Sequence, residues 1–176
     1  MIRTRVGYCG GSKANPTYHN LGDHSEAIQI DFDPAQISYP ELLSQARAQG
    51  NFAGSSFSRQ YRSVVFYHTP AQRQAAEKLG IRSVEPVGTF TRAEDYHQKY
   101  YLQQSNAVKD FYAMFPTDQA FTDSTAVTIA NGIAGGHVDR ERVKALLPAL
   151  GVSESTGQAL LRLAGTSGSG CALPGP

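Results

Sequence analysis

Tryptophan is absent from this chain of 176 residues, and cysteine occurs only twice. Two cysteines, Cys9 and Cys171, make no disulfide framework, and that usage fits a reducing cytoplasm. Charge of one sign is lacking as well: 16 basic residues against 15 acidic ones leave a net charge of +1. There is no basic run to grip nucleic acid and no acidic tail. No apolar run approaches the ~18 residues that a membrane span needs. Met1-Ile2-Arg3-Thr4-Arg5 has no hydrophobic stretch behind its charges, so it does not read as a secretory signal. Metal-ligand spacing is missing too, because His24, His97 and His137 belong to no His-x-x-x-His or Cys-x-x-Cys pattern.

What is present has an ordinary composition, 40% hydrophobic and 18% charged, long enough to bury one core with an appendage. Residues 2–8 read as a strand. Over 26–32, Ile28, Ile30 and Phe32 alternate with Gln29 and Asp31, the two-residue period of a half-buried strand. Ser38-Tyr39-Pro40-Glu41 has the form of a capping box. It opens a helix over 39–49 that turns Leu42, Leu43 and Ala46 inward and stops near Gly50. Residues 61–68, with Val64, Val65 and Phe66, read as a long third strand in the same sheet as the first two. Thr69-Pro70 opens a second helix that Gly80 ends. A short strand is expected over 84–87 and one helix over 93–104.

From Ser105 the pattern turns helical, over 106–115, 118–134, 139–150 and 153–164. Val143, Leu146, Leu147 and Leu150 make one apolar stripe there, and Leu160, Leu161 and Leu163 another. The expected organisation is an α/β (α+β) core over 1–104, a helical extension over 105–165, and a Gly/Ser/Pro tail over 166–176 that carries Cys171.

Chemistry concentrates in one stretch, Val6-Gly7-Tyr8-Cys9-Gly10-Gly11, then Asn15-Pro16-Thr17-Tyr18, then Gly22-Asp23-His24-Ser25-Glu26-Ala27. It leaves a strand, crosses a polar loop and re-enters a strand, and loops at strand ends are where sites are usually built. A thiol, two phenols, two imidazoles and two carboxylates fall within it. On residue types alone it reads either as a site or as an ordinary polar loop.

This stretch resembles the A-type peptide methionine sulfoxide reductases, which reduce the S-epimer of methionine sulfoxide. Ile37-Ser38-Tyr39-Pro40-Glu41-Leu42-Leu43, Gln60-Tyr61-Arg62-Ser63 and Ala93-Glu94-Asp95-Tyr96-His97-Gln98-Lys99-Tyr100-Tyr101 fit the same family in the same order. The resemblance covers roughly residues 2 to 104. It implies a mixed sheet flanked by helices, no bound cofactor, methionine sulfoxide in peptides or free as substrate, and thioredoxin or another dithiol as reductant. One departure stands out. The family's nucleophilic cysteine lies in a Gly-Cys-Phe-Trp motif ahead of the strand that 2–8 matches, and this chain contains no such motif. The expectation is a family member without its first strand and first helix.

Carried over residue by residue, the resemblance makes Glu26 the acid that protonates the sulfoxide oxygen, and Tyr18 and Tyr61 the phenols that hold it. Ser56 falls where the family has an aspartate, and Tyr8 lies beside these positions as a candidate substrate contact. Cys9 is the thiol nearest the group in sequence. It reads as a displaced nucleophile or as a small residue packed at a strand end, and no helix N-terminus stands behind it to favour a thiolate. Cys171, in Gly168-Ser169-Gly170-Cys171, resembles the family's resolving cysteine. Asp95 and His97 match a structural segment near the site. Three readings follow: a thiol-dependent reductase, a homologue that binds sulfoxide without its nucleophile, and a chain whose true start lies upstream.

Overall fold

The structure, a computed structural model, describes residues 2–49 and 58–166. The chain divides into two compact units, Met1–His97 and Gln98–Pro176.

The first unit is built on an antiparallel pair. Strand β1 (Arg3–Cys9) runs against β2 (Ser25–Asp31) in an unbroken ladder from Arg3 opposite Asp31 to Cys9 opposite Ser25. The far end is tied by Arg3 and Arg5 to the Asp31 carboxylate. The short β5 (Thr91–Arg92) occupies the other edge of β1, giving the order β2-β1-β5. The alternation seen in 26–32 is real as strand periodicity. However, Ile28, expected inward, is 58% exposed: it shares a face with its rung partner Val6, but the apolar cluster of Tyr8, Leu21 and Ala93, with Val6 and Tyr18 packed on it, includes no residue of β2.

The expected long strand over 61–68 is corrected. Only β3 (Val65–Tyr67) is strand, and it pairs in parallel with β4 (Val84–Pro86) in a separate two-stranded sheet. The second edge of β1 is already taken by β5. Gln60 gives β2 a single rung, its carbonyl accepting from the Glu26 amide at 2.9 Å. Arg62 then leaves the sheet direction: its guanidinium binds the Glu85 carboxylate and its Nε donates to Ser25 Oγ at 2.7 Å.

Helix α1 (Tyr39–Gln49) begins with the capping box. The Ser38 amide and hydroxyl donate to Glu41 Oε2 at 2.9 and 2.6 Å, and the Glu41 amide donates back to Ser38 Oγ at 3.4 Å. Helix α2 (Pro70–Lys78) begins with Thr69 Oγ1 accepting from the Gln72 amide. Such caps contribute about 1 kcal/mol each. The two helices bury Leu43, Ala76 and Ile81 against Val65 of β3. Ala46, expected inward, is exposed.

The second unit is helical: α3 (Tyr100–Gln103), α4 (Val108–Met114), α5 (Asp118–Asp123), α6 (Thr125–Ala134), α7 (Arg140–Leu150) and α8 (Glu154–Leu163). Leu102, Phe111, Val127, Ile133, Val143 and Leu160 are all fully buried at its centre. Asp139 and Ser153 cap α7 and α8 through the amides of Arg142 and Thr156. Two expected helices are broken. Residues 93–104 form a 3-10 turn at Asp95–His97 and then α3, separated by Lys99 with φ of +52°. Lys99 is 5% exposed and donates from Nζ to Thr128 Oγ1 at 2.7 Å, so its buried side chain sets its backbone. Residues 118–134 split at Ser124, whose extended backbone caps α6. Among the described residues, no helix is long and apolar enough to cross a membrane.

Two glycines with positive φ test how closely the first unit is packed. Gly10 has φ of +78°, and a Cβ there would lie 2.5 Å from the Phe66 ring; at Gly80, with φ of +74°, a Cβ would meet nothing within 4 Å. Gly80→Ala therefore costs the left-handed backbone alone, about 1 kcal/mol. Gly10→Ala adds a clash against a ring and costs about 3 kcal/mol. Urea unfolding of the two variants checks the order; equal losses would mean that the Phe66 wall yields.

Candidate functional site

The polar loop between β1 and β2 is folded by its own titratable groups. The Asp23 carboxylate accepts from the Ser12 amide at 2.8 Å, the Lys13 amide at 3.1 Å and the Ser12 hydroxyl at 2.9 Å. The Ser12 and Lys13 amides, followed by the Ser12 hydroxyl, hold that carboxyl far below the usual carboxylate range. His24 is 3% exposed. It accepts from the Gly11 amide at Nδ1, and its Nε2 lies 2.9 Å from the Lys13 carbonyl. Both groups are consumed in shaping the loop. Among the described residues, no three His, Cys, Asp or Glu side chains gather as a metal site would require.

The ladder register then decides which side chains meet. Tyr8 lies directly opposite Glu26, so the two share a face, while Cys9 lies opposite Ser25 on the other face. Glu26 is drawn to Tyr61 through Gln60, whose Nε2 donates to Glu26 Oε1 at 2.8 Å and to the Tyr61 hydroxyl at 3.1 Å. The Tyr18 phenol lies near enough to act on the Tyr61 hydroxyl. Tyr61 is 52% exposed. Partial loss of water, then the neighbouring Tyr18 phenol and the charge of Glu26, hold its phenol above the ordinary tyrosine range. Glu26 and Tyr61, expected together from the sequence, are thus joined through Gln60 in a hydrogen-bonded group open to solvent, with the Tyr18 phenol nearby.

Tyr18 is also gripped from the segment after β5. Its amide donates to Glu94 Oε1 at 3.1 Å, and its ring stands 4.7 Å from the His97 ring, which in turn lies tilted at 4.2 Å from Tyr96. Asp95 pairs instead with Arg92.

Two expected members stand apart from the group. Cys9 is 1% exposed on the face away from Glu26, next to Ser25 and its partners Arg62 and the Arg59 carbonyl. Tyr8 shares the face of Glu26 but is 2% exposed, and its hydroxyl donates to Glu94 Oε2 at 2.6 Å. Burial first, then that bond, hold its phenol well above the ordinary range. Ser56 and Cys171 lie outside the described residues. The sequence reading assigned no role to Gln60 or Glu94. Gln60 could have been found from its place beside Tyr61. Glu94 had no local signal, since its partners Tyr8 and Tyr18 are 86 and 76 residues away.

A family model described as peptide methionine sulfoxide reductase matches residues 1–129. The peptide methionine sulfoxide reductase of Drosophila melanogaster is 34% identical over 171 residues, covering 90% of this chain and 69% of that protein. Peptide methionine sulfoxide reductase MsrA of Leifsonia xyli subsp. xyli is 40% identical over 122 residues, covering 57% of this chain and 70% of its own length. The chain covers 58% of peptide methionine sulfoxide reductase A5 of Oryza sativa subsp. japonica, at 32% identity. Among solved structures, methionine sulfoxide reductase A of Corynebacterium diphtheriae aligns with a TM-score of 0.48 and 27% identity, over 57% of this chain and 63% of that one. With a family model matched across most of its length, this chain belongs to the peptide methionine sulfoxide reductases.

Proposed function

We propose that this chain serves protein repair under oxidative stress, as a peptide-methionine (S)-S-oxide reductase acting on sulfoxide in peptides or free. The observation that carries the reading is the joining of Glu26 and Tyr61 through Gln60, with the Tyr18 phenol beside Tyr61. In the overall reaction two thiols are oxidised to one disulfide, the sulfur is reduced to the thioether, and the oxygen leaves with two protons as water. Tyr18 and Tyr61 donate hydrogen bonds to the sulfoxide oxygen and hold it. Gln60 fixes one carboxyl oxygen of Glu26 and leaves the other to carry a proton to the same oxygen as negative charge develops. No cofactor is bound in this reading. Thioredoxin or another dithiol supplies the thiols, in a reducing cytoplasm, with Cys171 as the resolving thiol and Ser56 as a further substrate contact.

A second reading, that of a pocket without its own reagent, is favoured by the position of Cys9 on the far face of the sheet, 1% exposed. A covalent nucleophile must reach sulfur, and its loss costs several orders of magnitude in rate. Single-turnover reduction of a peptide S-sulfoxide by this chain, with thiols counted afterwards, separates the two. The second reading expects little or no reduction, with sulfoxide binding retained and weakened about tenfold by Glu26→Gln, the worth of one hydrogen bond. Rapid reduction that consumes Cys9 would overturn this and make Cys9 a relocated nucleophile.

The neighbouring phenols give a second test. At pH 10 half of an ordinary phenol has ionised, whereas more than half of Tyr61 keeps its proton, because its titration is displaced upward. Tyr18→Phe and Glu26→Gln each bring the Tyr61 titration down. A pH titration of ring-labelled tyrosine by NMR measures this. If Tyr61 titrates like free tyrosine in all three proteins, the group does not form in solution.

A further inference from the structure

The loop that carries Tyr18 is secured at two places by different means. Its stem is held by Asp23 and His24. Its tip, where Thr17 and Asn20 form an isolated bridge, presents the Tyr18 amide to Glu94. Glu94 is itself placed by the sheet: the preceding Ala93 is 4% exposed and its amide donates to the Val6 carbonyl at 3.0 Å, extending the β5 pairing. The Glu94 carboxylate then uses both oxygens, Oε2 accepting from the buried Tyr8 hydroxyl at 2.6 Å and Oε1 from the Tyr18 amide at 3.1 Å. Hydrogen bonds to an ionised acceptor are shorter and roughly twice as strong as neutral ones. Glu94 therefore ties β1, the strand that sets the site's register, to the tip of the loop that carries one of its phenols.

We propose that Glu94 is a positioning residue for sulfoxide recognition: by holding the Tyr18 amide against the Tyr8 hydroxyl, it sets the Tyr18 phenol beside Tyr61. The inference rests on the reading of Tyr18, Glu26 and Tyr61 as the sulfoxide-binding group. Glu94 does not touch the substrate. Burial pushes its carboxyl up, but the Tyr8 hydroxyl, its own amide and the Tyr18 amide outweigh that and keep it ionised below the ordinary range. An ionised carboxylate accepts and does not donate, so Glu94 cannot share the acid role given to Glu26. Its contribution is geometric, and a misplacement of about 1 Å in a site of this kind is costly. The following turn reinforces it, since His97 packs its ring on Tyr18 from the same segment.

The test uses the full chain with labelled tyrosine rings. Glu94→Ala alone would bury the Tyr8 hydroxyl without a partner, so the informative variant is Glu94→Ala with Tyr8→Phe. Its fold is checked by the backbone amide spectrum of β1 and β2. The expected result is loss of the nuclear Overhauser contact between the Tyr18 and Tyr61 rings, and about tenfold weaker binding of a peptide S-sulfoxide. Glu94→Gln can still accept from the Tyr18 amide through its oxygen and donate to the Tyr8 oxygen, so it restores most of the ring contact. Adding Tyr18→Phe to the double variant weakens binding no further, because both changes remove the same interaction. A ring contact that persists in the double variant, or a loss that adds in full to that of Tyr18→Phe, overturns the inference. If the wild-type chain binds no sulfoxide, or Tyr18→Phe leaves binding unchanged, the reading of the site fails. The ring contact then still decides whether Glu94 positions Tyr18.

Discussion

Register in the β1–β2 ladder is the constraint on which the site depends. Because side chains alternate across a strand, pairing Tyr8 with Glu26 puts both on one face and sends Cys9 and Ser25 to the other. A slip of one residue would exchange the faces of the slipped strand and separate Glu26 from its partners. The register is pinned at both ends. Arg3 and Arg5 hold Asp31 at one end, and at the other Ser25 Oγ donates to the Arg59 carbonyl and receives Arg62. The ion pairs at the first end are partly exposed and contribute modestly by themselves. The Ser25 contacts are buried, and leaving such groups unpaired costs about 1–3 kcal/mol.

Much of what looked chemical in the sequence is structural in the fold. Asp23 and His24 stand in the middle of the stretch richest in reactive groups, yet both spend their polar atoms on the backbone of 11–13. A tight polar loop has amides that no strand or helix satisfies, and buried ones must find partners. A carboxylate and an imidazole are efficient at this because each offers acceptors to several amides or bridges a donor and an acceptor. The positions proposed as reactive are the ones left over once the loop is closed: Tyr18 at its tip and Glu26 at its exit.

The legible parts of the fold were those encoded locally. The Ser38–Glu41 box, the Thr69-Pro70 start and the Asp139 and Ser153 caps are contacts within three residues, and the helices begin where those residues stand. The trio of Tyr18, Glu26 and Tyr61 came from family resemblance, and the structure joins Glu26 and Tyr61 through Gln60, with the Tyr18 phenol near Tyr61. The misreadings share a cause, a distant partner. Residues 61–64 are strand-like in composition, but Arg62 is claimed by Glu85 and Ser25. The run 93–104 is helix-like, but Lys99 is turned by Thr128, 29 residues on. Ile28 has strand periodicity, but nothing in its own segment says that the apolar cover on its face stops short of β2.

Two carboxylates flank the phenols, and their surroundings separate their tasks. Glu94 meets the Tyr8 hydroxyl and two amides, its own and that of Tyr18, all of which favour the ionised form. Glu26 has one oxygen tied to the Gln60 amide, and its other oxygen receives no comparable clamp among the described contacts. A carboxyl that must deliver a proton cannot be saturated with donors, because each one it accepts stabilises the anion it would become. A carboxyl that must hold a loop gains from every donor it accepts. In the proposed reading the same residue type therefore serves opposite ends in neighbouring places, and the difference is set by how many N–H and O–H groups the fold directs at each.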